Sequence, residues 1–265
     1  MNHKISSVLV VGATGSIGRL VVAGALSEGY AVRALVRNSR RARTLLPAQT
    51  ELIEGDLTQP LTLLAAVDSV DAIVFTHGSH GMRGSGGEEV DYGGVRNILL
   101  ALDGRRPRLA LMTAIGVTKR EDARMGKLDT HDWKRRGERL IRASGCPYTI
   151  VRPGWFDYNA PDQHRLVLLQ GDRRWASDSS DGVVSREQIA QTLVRSLSLP
   201  SAAGKTFELV AERGAASQDF DALFAALLPD ASGALDGVAD RENMPLTGEP
   251  EGVRSDLARL RVVSA

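Results

Sequence analysis

The chain has 265 residues, of which 43% are hydrophobic and 25% charged, enough for one large α/β domain or one domain with a small appendage. Its formal net charge of +1 implies no acidic polymer as a partner, so nucleic acid is not expected. The single cysteine, Cys146, excludes an internal disulfide and is typical of a reducing compartment.

Membrane insertion and export are not expected from the sequence either. No apolar run reaches the roughly 20 residues that a spanning helix requires. The apolar stretch near the start of the chain is already needed for a first strand, which makes it a poor signal peptide. We therefore expect a cytoplasmic protein that works as a monomer or a homodimer on a small-molecule substrate.

The first strand, Val8–Val11, breaks into glycines and is followed by a helical pattern. Gly12, Gly15 and Gly18 permit a positive φ and a close backbone approach to a pyrophosphate, whose oxygens the N–H groups of the next helix can bind. The pattern predicts a dinucleotide-binding turn; a glycine-rich turn without a ligand is the alternative. The residues expected to form the site here are Gly12, Thr14, Gly15, Ser16 and Ile17.

Strand-like and helix-like segments then alternate, which is typical of a parallel sheet with crossover helices. We predict an α/β fold of the Rossmann type with a doubly wound parallel sheet. Strands are predicted at Val8–Val11, Ala31–Val36, Glu51–Ile53, Ala72–Phe75, Leu109–Met112 and Tyr148–Val151. Helices are predicted at Ser16–Ser27, Leu61–Val67, Val90–Leu102 and about Asp132–Ala143.

The residues that follow the second strand indicate which nucleotide binds. An NAD-binding unit carries an acid near the end of this strand, but none lies between Glu28 and Glu51. Arg33 and Arg37 lie there instead, and the guanidinium of Arg37 is placed to bind a 2′-phosphate. We therefore predict NADP(H) as the cofactor. The alternative, arginines that merely solvate a helix, is accepted for Arg40, Arg41 and Arg43.

Loops that follow strands of a parallel sheet face its ligand. Asp56 is placed to accept from the adenine amine, or alternatively to cap a helix near Pro60. The glycine-rich loop over residues 76–87 suits either a mobile flap or a solvated linker. The loop residues expected at the cofactor are Asp56, Leu57, Thr76, His77 and Gly78.

The regular alternation of strand-like and helix-like segments changes after Gly154. We therefore predict a core over residues 1–153 and a smaller, integrated lobe over residues 154–265. A capping box at Ser185–Gln188 opens a helix, and a strand at Thr206–Val210 and a helix around Phe220–Leu228 follow. This lobe is expected to cover the reactive end of the cofactor. From Pro229 on, the sequence predicts little.

Further motifs occur at Asp91–Asn97, Leu111–Val117, Trp133–Glu138 and Ser144–Gly154. With the glycine turn, they resemble the atypical short-chain dehydrogenases/reductases of the NAD(P)H-binding, NmrA-like group over roughly residues 5 to 210. The resemblance implies a Rossmann fold and a nicotinamide cofactor, and it is less specific for the reaction.

The resemblance also implies a catalytic serine, a tyrosine and a lysine four residues after the tyrosine. Lys134 matches the lysine, but Thr130 occupies the tyrosine position, and an alcohol cannot replace a phenol as acid and base. The usual Ser-Ser is Thr113-Ala114, so standard carbonyl reduction is not expected. We predict that Lys134 binds the nicotinamide ribose; the alternative is an exposed ion pair with Glu138.

Other groups are candidates for carrying the proton. Histidine has a suitable pKa, and His131 lies beside the tyrosine position, while His77 and His80 lie in the long loop. Tyr92, at the start of a helix, is a further candidate. The catalytic positions are assigned to Lys134, Thr113 and His131, and no metal site is expected.

The segment after the sixth strand is expected to meet the reactive end of the cofactor. Pro153, Gly154 and Trp155 should pass beside the nicotinamide carboxamide, whose polar groups their backbone can satisfy. An aromatic wall for a planar or apolar substrate is available nearby. Its members are Trp155, Phe156, Tyr158 and Trp175, for which core packing is the alternative, preferred for Trp175.

Together these features predict an NADPH-dependent oxidoreductase acting on a small apolar or aromatic substrate, such as a quinone, a flavin or a polyketide-like carbonyl. An acceptor that takes hydride without a proton from the protein needs no tyrosine. The alternative is a non-catalytic NADP(H)-sensing protein whose ligand state controls a partner. The missing serine and tyrosine support the sensor, whereas the retained lysine and the aromatic lobe support the enzyme.

Overall fold

The computed structural model describes residues 4–79, 86–120 and 129–264. The strands are β1 (Ser7–Val11), β2 (Ala31–Val36), β3 (Glu51–Glu54), β4 (Ala72–Phe75), β5 (Arg108–Met112), β6 (Tyr148–Pro153), β7 (Trp155–Phe156), β8 (Arg165–Leu169), β9 (Val183–Val184) and β10 (Lys205–Glu212). The α-helices are α1 (Ser16–Ser27), α2 (Ser39–Ala42), α3 (Leu64–Val67), α4 (Gly93–Ala101), α5 (Asp129–Ala143), α6 (Arg186–Ser198), α7 (Phe220–Ala225) and α8 (Glu251–Ser264).

The strands of the described residues form one sheet in the order β3-β2-β1-β4-β5-β6-β10-β9-β7, with β8 antiparallel to β10. Neighbours from β3 through β10 are parallel. This is a doubly wound order, and it confirms the predicted Rossmann-type fold. The order in which strands are added to the sheet reverses between β1 and β4, so the ligand crevice is expected at the carboxyl ends of those two strands.

Apolar side chains cover both faces of the sheet. Along β1, Val8 and Val10 belong to the core layer under α1 and α6, whereas Leu9 and Val11 belong to the layer under α4 and α5. This alternation follows from the two-residue period of a strand. Because β1 is buried on both faces, it reads as a continuous apolar run.

Two predicted helices differ from the structure in form. The pattern at Val90–Leu102 corresponds to a π-helical segment, Gly87–Tyr92, that continues as α4. The pattern at Leu61–Val67 corresponds to a 3₁₀ turn, Pro60–Leu63, followed by α3. Proline has no N–H for a helical hydrogen bond, so Pro60 is compatible with its place at the first position of the 3₁₀ turn.

The chain that follows α7 is held by charge more than by apolar contacts. We call residues 228–250 the C-terminal strap. Four arginines of α5 bind acids of the strap: Arg135 and Arg139 contact Asp236 at 3.0 and 2.6 Å, Arg136 contacts Glu249 at 2.8 Å, and Arg142 contacts Asp230 at 3.1 Å. These ion pairs explain why hydrophobic periodicity predicts little after Pro229. Within the described residues, no helix is both long and apolar enough to cross a membrane.

Candidate dinucleotide-binding and active site

The turn between β1 and α1 is shaped by two glycines that admit no side chain. Gly12 has a φ of +82°, and a Cβ there would lie 2.6 Å from the backbone nitrogen of His77. A Cβ on Gly18 would lie 2.1 Å from the carbonyl oxygen of Gly12. The turn therefore brings the start of α1 close against the carboxyl ends of β1 and β4, where a diphosphate must approach backbone atoms closely.

The first turn of α1 offers donors without a competing side chain. Gly15 is the N-cap residue and supplies no capping group, and no acidic residue lies in the first turn. Thr14 and Ser16 are exposed, whereas the side chain of Ile17 is buried in the core, so Ile17 can serve a ligand only through its backbone. Free N–H groups and the helix dipole make this end suitable for the anionic diphosphate of a dinucleotide.

The two arginines of the second strand have different roles. Arg33 donates to Glu51 at 3.0 Å and to the backbone oxygens of three residues near the end of α3, so it is a structural residue. The predicted contact with the 2′-phosphate therefore depends on Arg37 alone. Arg37 is exposed just past β2, and neither a hydrogen bond nor an ion pair joins it to a described residue. Glu54, the last residue of β3, accepts a hydrogen bond from the backbone N–H of Ser39 at 2.8 Å. Because this acid belongs to β3, a search for acids after β2 in the sequence does not find it.

Asp56 and Leu57 follow β3 and are fixed by local hydrogen bonds. Asp56 Oδ1 accepts from the backbone nitrogen and the hydroxyl of Thr58 at 2.9 and 2.8 Å, and the backbone bond is the main cause of its lowered pKa. The nearby 3₁₀ turn has Gln59 as its N-cap, so the alternative of a helix cap by Asp56 is wrong. The carbonyl of Leu57 accepts from Asn97 Nδ2 at 2.6 Å.

The residues after β4 meet the turn but do not supply a proton donor. The Thr76 hydroxyl donates to the Val11 carbonyl at 3.0 Å, and Gly78 is half-buried. Neither ring nitrogen of His77 has a hydrogen-bond partner among the described residues. Burial, and secondarily Lys134, lowers the pKa of His77 to about 4, so its imidazole is neutral at neutral pH and a poor acid. His80 lies outside the described residues.

A buried ion pair lies at the carboxyl ends of β4 and β5. Lys134 of α5 donates to the carboxylate of Asp91, and their side chains are 16% and 1% exposed. Asp91 also accepts from the hydroxyl of Ser79 at 2.5 Å and from its backbone nitrogen at 3.3 Å. The alternative, an exposed pair of Lys134 with Glu138, is wrong because Glu138 is fully buried and binds other partners. Asp91 belongs to the π-helical segment, a distortion that is frequent at functional sites.

Thr113 lies beside this pair but directs its hydroxyl elsewhere. Its Oγ1 donates to Glu138 Oε1 at 2.7 Å. Arg152 also donates to Glu138, at 2.7 and 3.0 Å. Burial raises the pKa of Glu138, but Arg152 and further donors outweigh it and lower the pKa to about 2. The Thr113 hydroxyl therefore donates its hydrogen bond to the ionised, buried carboxylate of Glu138.

The remaining candidate proton carriers are poor donors. Burial, with Lys134 second, lowers the pKa of His131, whose ring lies near Gly116. The phenol of Tyr92 donates to Asp256 of α8 at 2.7 Å, and burial with that hydrogen bond raises its pKa. Tyr92 therefore faces α8, and the hypothesis that it carries a proton for the substrate is wrong. Thr130 is half-buried, and its hydroxyl has no hydrogen-bond partner among the described residues.

The segment after β6 presents aromatic side chains more than free backbone donors. The N–H groups of Gly154 and Trp155 already donate to Leu209 and Gly182, at 2.9 Å each, so a carboxamide would have to be met by carbonyl oxygens of this stretch. Trp155 and Tyr158 are 37% and 66% exposed and meet edge to face at 6.1 Å.

The other two aromatic residues of the predicted wall each lie under an arginine. Phe156 is half-buried beneath the guanidinium of Arg186 at 5.5 Å, and Trp175 lies beneath that of Arg241 at 3.8 Å. The exposed aromatic surface therefore consists of Trp155 and Tyr158.

Three residues of this region were missed by the sequence analysis. Asp91 and Ser79 are separated from Lys134 by 43 and 55 positions, and no local pattern links them to it. Arg186 follows the capping-box serine of α6, and its side chain donates to Ser16 at 3.0 Å. A basic residue after a cap was the only available signal.

Fold and turn together define a Rossmann-type dinucleotide-binding protein. Residues 12–200 match the family model described as NAD(P)H-binding. The chain belongs to this family, in the NmrA-like group of atypical short-chain dehydrogenases/reductases. The glycine turn and the uncapped start of α1 fit the nicotinamide dinucleotide that the family binds.

Two similar proteins have names that describe different roles, one an assembly factor and the other a reductase. The chain is 32% identical over 216 residues to the photosystem II assembly factor Ycf39 of Cyanophora paradoxa, covering 80% of this chain and 66% of that protein. It is 28% identical over 266 residues to sanguinarine reductase of Eschscholzia californica, covering 84% of this chain and 96% of that protein.

Solved structures share the fold. A putative NAD-dependent epimerase/dehydratase from Bacillus halodurans superposes with a TM-score of 0.67 at 21% identity, over 84% of this chain and 100% of that one. At this identity the likeness concerns the fold alone.

Proposed function

We propose that this protein is an NADPH-dependent oxidoreductase acting on a small planar, apolar or aromatic acceptor. The observation that carries the proposal is the buried Lys134–Asp91 pair, placed at the carboxyl ends of β4 and β5 and therefore on the crevice edge of the sheet. A lysine held there by a buried carboxylate is rigid and can donate to the ribose hydroxyls of a bound dinucleotide.

The choice of NADPH rests on Arg37. Its exposed guanidinium forms no hydrogen bond or ion pair with a described residue, although it attracts the Asp56 carboxylate, and it lies at the end of β2, where the adenosine ribose is bound in this fold. A forked, permanently charged donor suits a phosphate dianion better than a ribose hydroxyl.

The nicotinamide supplies the hydride when it is bound. The candidates among the described residues are poor proton donors: Thr130 stands at the position of the phenol, His77 is neutral, and Tyr92 is bound to α8. Acceptors that take hydride without a proton from the protein, such as quinones and flavins, fit this site best. The exposed edge-to-face pair Trp155 and Tyr158 offers such a planar ring an apolar surface.

A non-catalytic NADP(H) sensor is the second candidate, and one observation favours it. Thr113, the remaining hydroxyl of the serine position, donates to Glu138 and is not free to polarise a substrate. The name of the Cyanophora relative, an assembly factor, is compatible with such a role.

A screen separates these two functions. NADPH oxidation is followed at 340 nm with quinones, flavins and aromatic ketones, and NADPH binding is measured in parallel. Turnover with a quinone or flavin that falls at least tenfold in Lys134→Ala supports the oxidoreductase. Tight NADPH binding without turnover of any acceptor would assign the sensor.

A further inference from the structure

A guanidinium from the second half of the chain contacts the start of α1. Arg186 is the first residue of α6, whose beginning is fixed by a reciprocal capping box between Ser185 and Gln188. Its Nε donates to Ser16 Oγ at 3.0 Å. The contact places a positive charge beside the turn that is shaped for a diphosphate.

On the α1 side this charge has no counter-ion. The first turn of α1 contains no acid, and no side chain caps its N–H groups, so the helix end carries partial positive charge. Ser16 contributes only a neutral oxygen. A guanidinium beside a positive helix end repels it, and an anion bound between the two would remove that repulsion.

On the other side, Asp157 provides a counter-ion that a ligand can replace. Its carboxylate forms an ion pair with the Arg186 guanidinium and accepts the Arg186 backbone N–H at 3.1 Å. The two side chains are 45% and 34% exposed, so water screens the pair and it contributes little to stability. Asp157 also has a φ of +59°, which is uncommon for a residue with a side chain.

We propose that Arg186 binds the diphosphate of the dinucleotide from the α6 side, opposite the N–H groups of α1, and that Asp157 holds its guanidinium in place when no nucleotide is bound. The inference rests on the proposed nucleotide binding and adds to it a residue from beyond residue 154. Arg186 can form forked, charge-assisted hydrogen bonds with the phosphate oxygens. The diphosphate is common to NADPH and NADH, so Arg186 contributes equally to both, unlike Arg37.

Titration of NADPH and NADH into Arg186→Gln tests this role. We expect the dissociation constants of both nucleotides to rise by the same factor, about tenfold, because one charge-assisted contact is lost. Arg195→Gln is the matched control: Arg195 lies on the same helix and pairs with Glu28 at the far end of α1, at 3.2 Å. This control should leave both constants within twofold of the unmodified protein.

Asp157→Asn distinguishes a ligand contact from a structural ion pair. If Arg186 binds phosphate, removal of the competing carboxylate leaves nucleotide binding equal or tighter. If the pair only joins the loop after β7 to α6, Asp157→Asn weakens binding as Arg186→Gln does, and the inference is overturned. Unchanged affinities in Arg186→Gln, or a loss for NADPH alone, overturn it as well. Failure of the unmodified protein to bind either nucleotide would instead refute the proposed function.

Discussion

At the scale of single residues, Lys134 stands where the resemblance implies the catalytic lysine, and Thr130 stands where it implies the tyrosine. Lys134 is fixed by Asp91, which is fixed in turn by the backbone N–H and the hydroxyl of Ser79. Thr130 is one turn earlier on α5 and contributes neither a phenol nor a hydrogen bond to a described residue. In the proposed function, the described residues therefore position a cofactor and leave the proton to another source.

Variants at these two positions should behave differently. Thr130→Ala should change turnover by less than about tenfold, or 1.4 kcal/mol of barrier, because its hydroxyl takes no part in the reaction. Lys134→Ala should weaken NADPH binding by about 1.5–3 kcal/mol, because the ribose loses a charged donor. Steady-state kinetics and calorimetry measure both. A thousandfold loss of turnover in Thr130→Ala at unchanged NADPH affinity would show that the hydroxyl is engaged in the chemistry.

At the scale of elements, the glycines of the turn between β1 and α1 are needed for different steric reasons. A Cβ on Gly15 meets only the Gly12 carbonyl oxygen, at 3.2 Å, whereas a Cβ on Gly18 would overlap that oxygen at 2.1 Å. Gly15 therefore faces mostly open space, where the proposed site places the diphosphate, and Gly18 faces the backbone of the turn itself.

Valine at these two glycines should therefore have different effects. Gly15→Val should abolish NADPH binding with a small change in melting temperature, because the side chain fills the diphosphate position. Gly18→Val should lower the melting temperature strongly, because backbone atoms must move. Thermal unfolding and nucleotide titration give the two readouts. Normal NADPH binding by Gly15→Val would place the site elsewhere.

Elements with a strong period could be predicted from the sequence, and contacts between distant elements could not. The strands from Val8–Val11 to Tyr148–Val151 and the helix Ser16–Ser27 lie within two residues of their predicted bounds, because most of them are apolar runs bounded by turn residues. The Asp91–Lys134 pair depends on a π-helical segment that no propensity indicates. The two-residue strands β7 and β9 are too short for an alternating pattern, so they too were missed.

At the scale of the whole molecule, buried ion pairs join the site to the C-terminal strap. Glu138 binds Thr113 and Arg152, and Arg152 continues to Asp240 of the strap at 2.7 Å. All three charged side chains are almost completely buried. Removing one partner of such a network leaves a buried charge without compensation, so the network is expected to fix α5, and with it Lys134, in one position.

Glu208 makes this network sensitive to pH. Burial raises its pKa to about 8, against the attraction of Arg152 and with the nearby carboxylates of Asp172 and Asp240 adding to the rise. Its usual pKa is 4.5, so the folded protein holds a proton there that the unfolded chain releases. The contribution of Glu208 to the free energy of unfolding should therefore fall as pH rises from about 5 to about 8.

Glu208→Gln should remove this dependence. Relative to the unmodified protein, its free energy of unfolding should rise with pH by roughly 1 kcal/mol per unit over that interval, as urea denaturation at several pH values would measure. Glu212→Gln, at a half-buried position of the same strand where the side chain is 43% exposed and pairs with Arg165, is the control and should show no such trend. A difference between Glu208→Gln and the unmodified protein that is constant from pH 5 to 8 would contradict the assignment.

The central claim, that the chain binds NADPH through the β1–α1 turn and Arg37, is tested most directly by calorimetric titration of the unmodified protein and Arg37→Ala with NADPH and NADH. We predict that the unmodified protein binds NADPH at least tenfold tighter than NADH, a difference of about 1.4 kcal/mol, and that Arg37→Ala loses most of this preference. Arg43→Ala, which removes an exposed arginine just after α2, should retain it. Equal affinities of the unmodified protein for the two nucleotides, or binding of neither, would contradict the account.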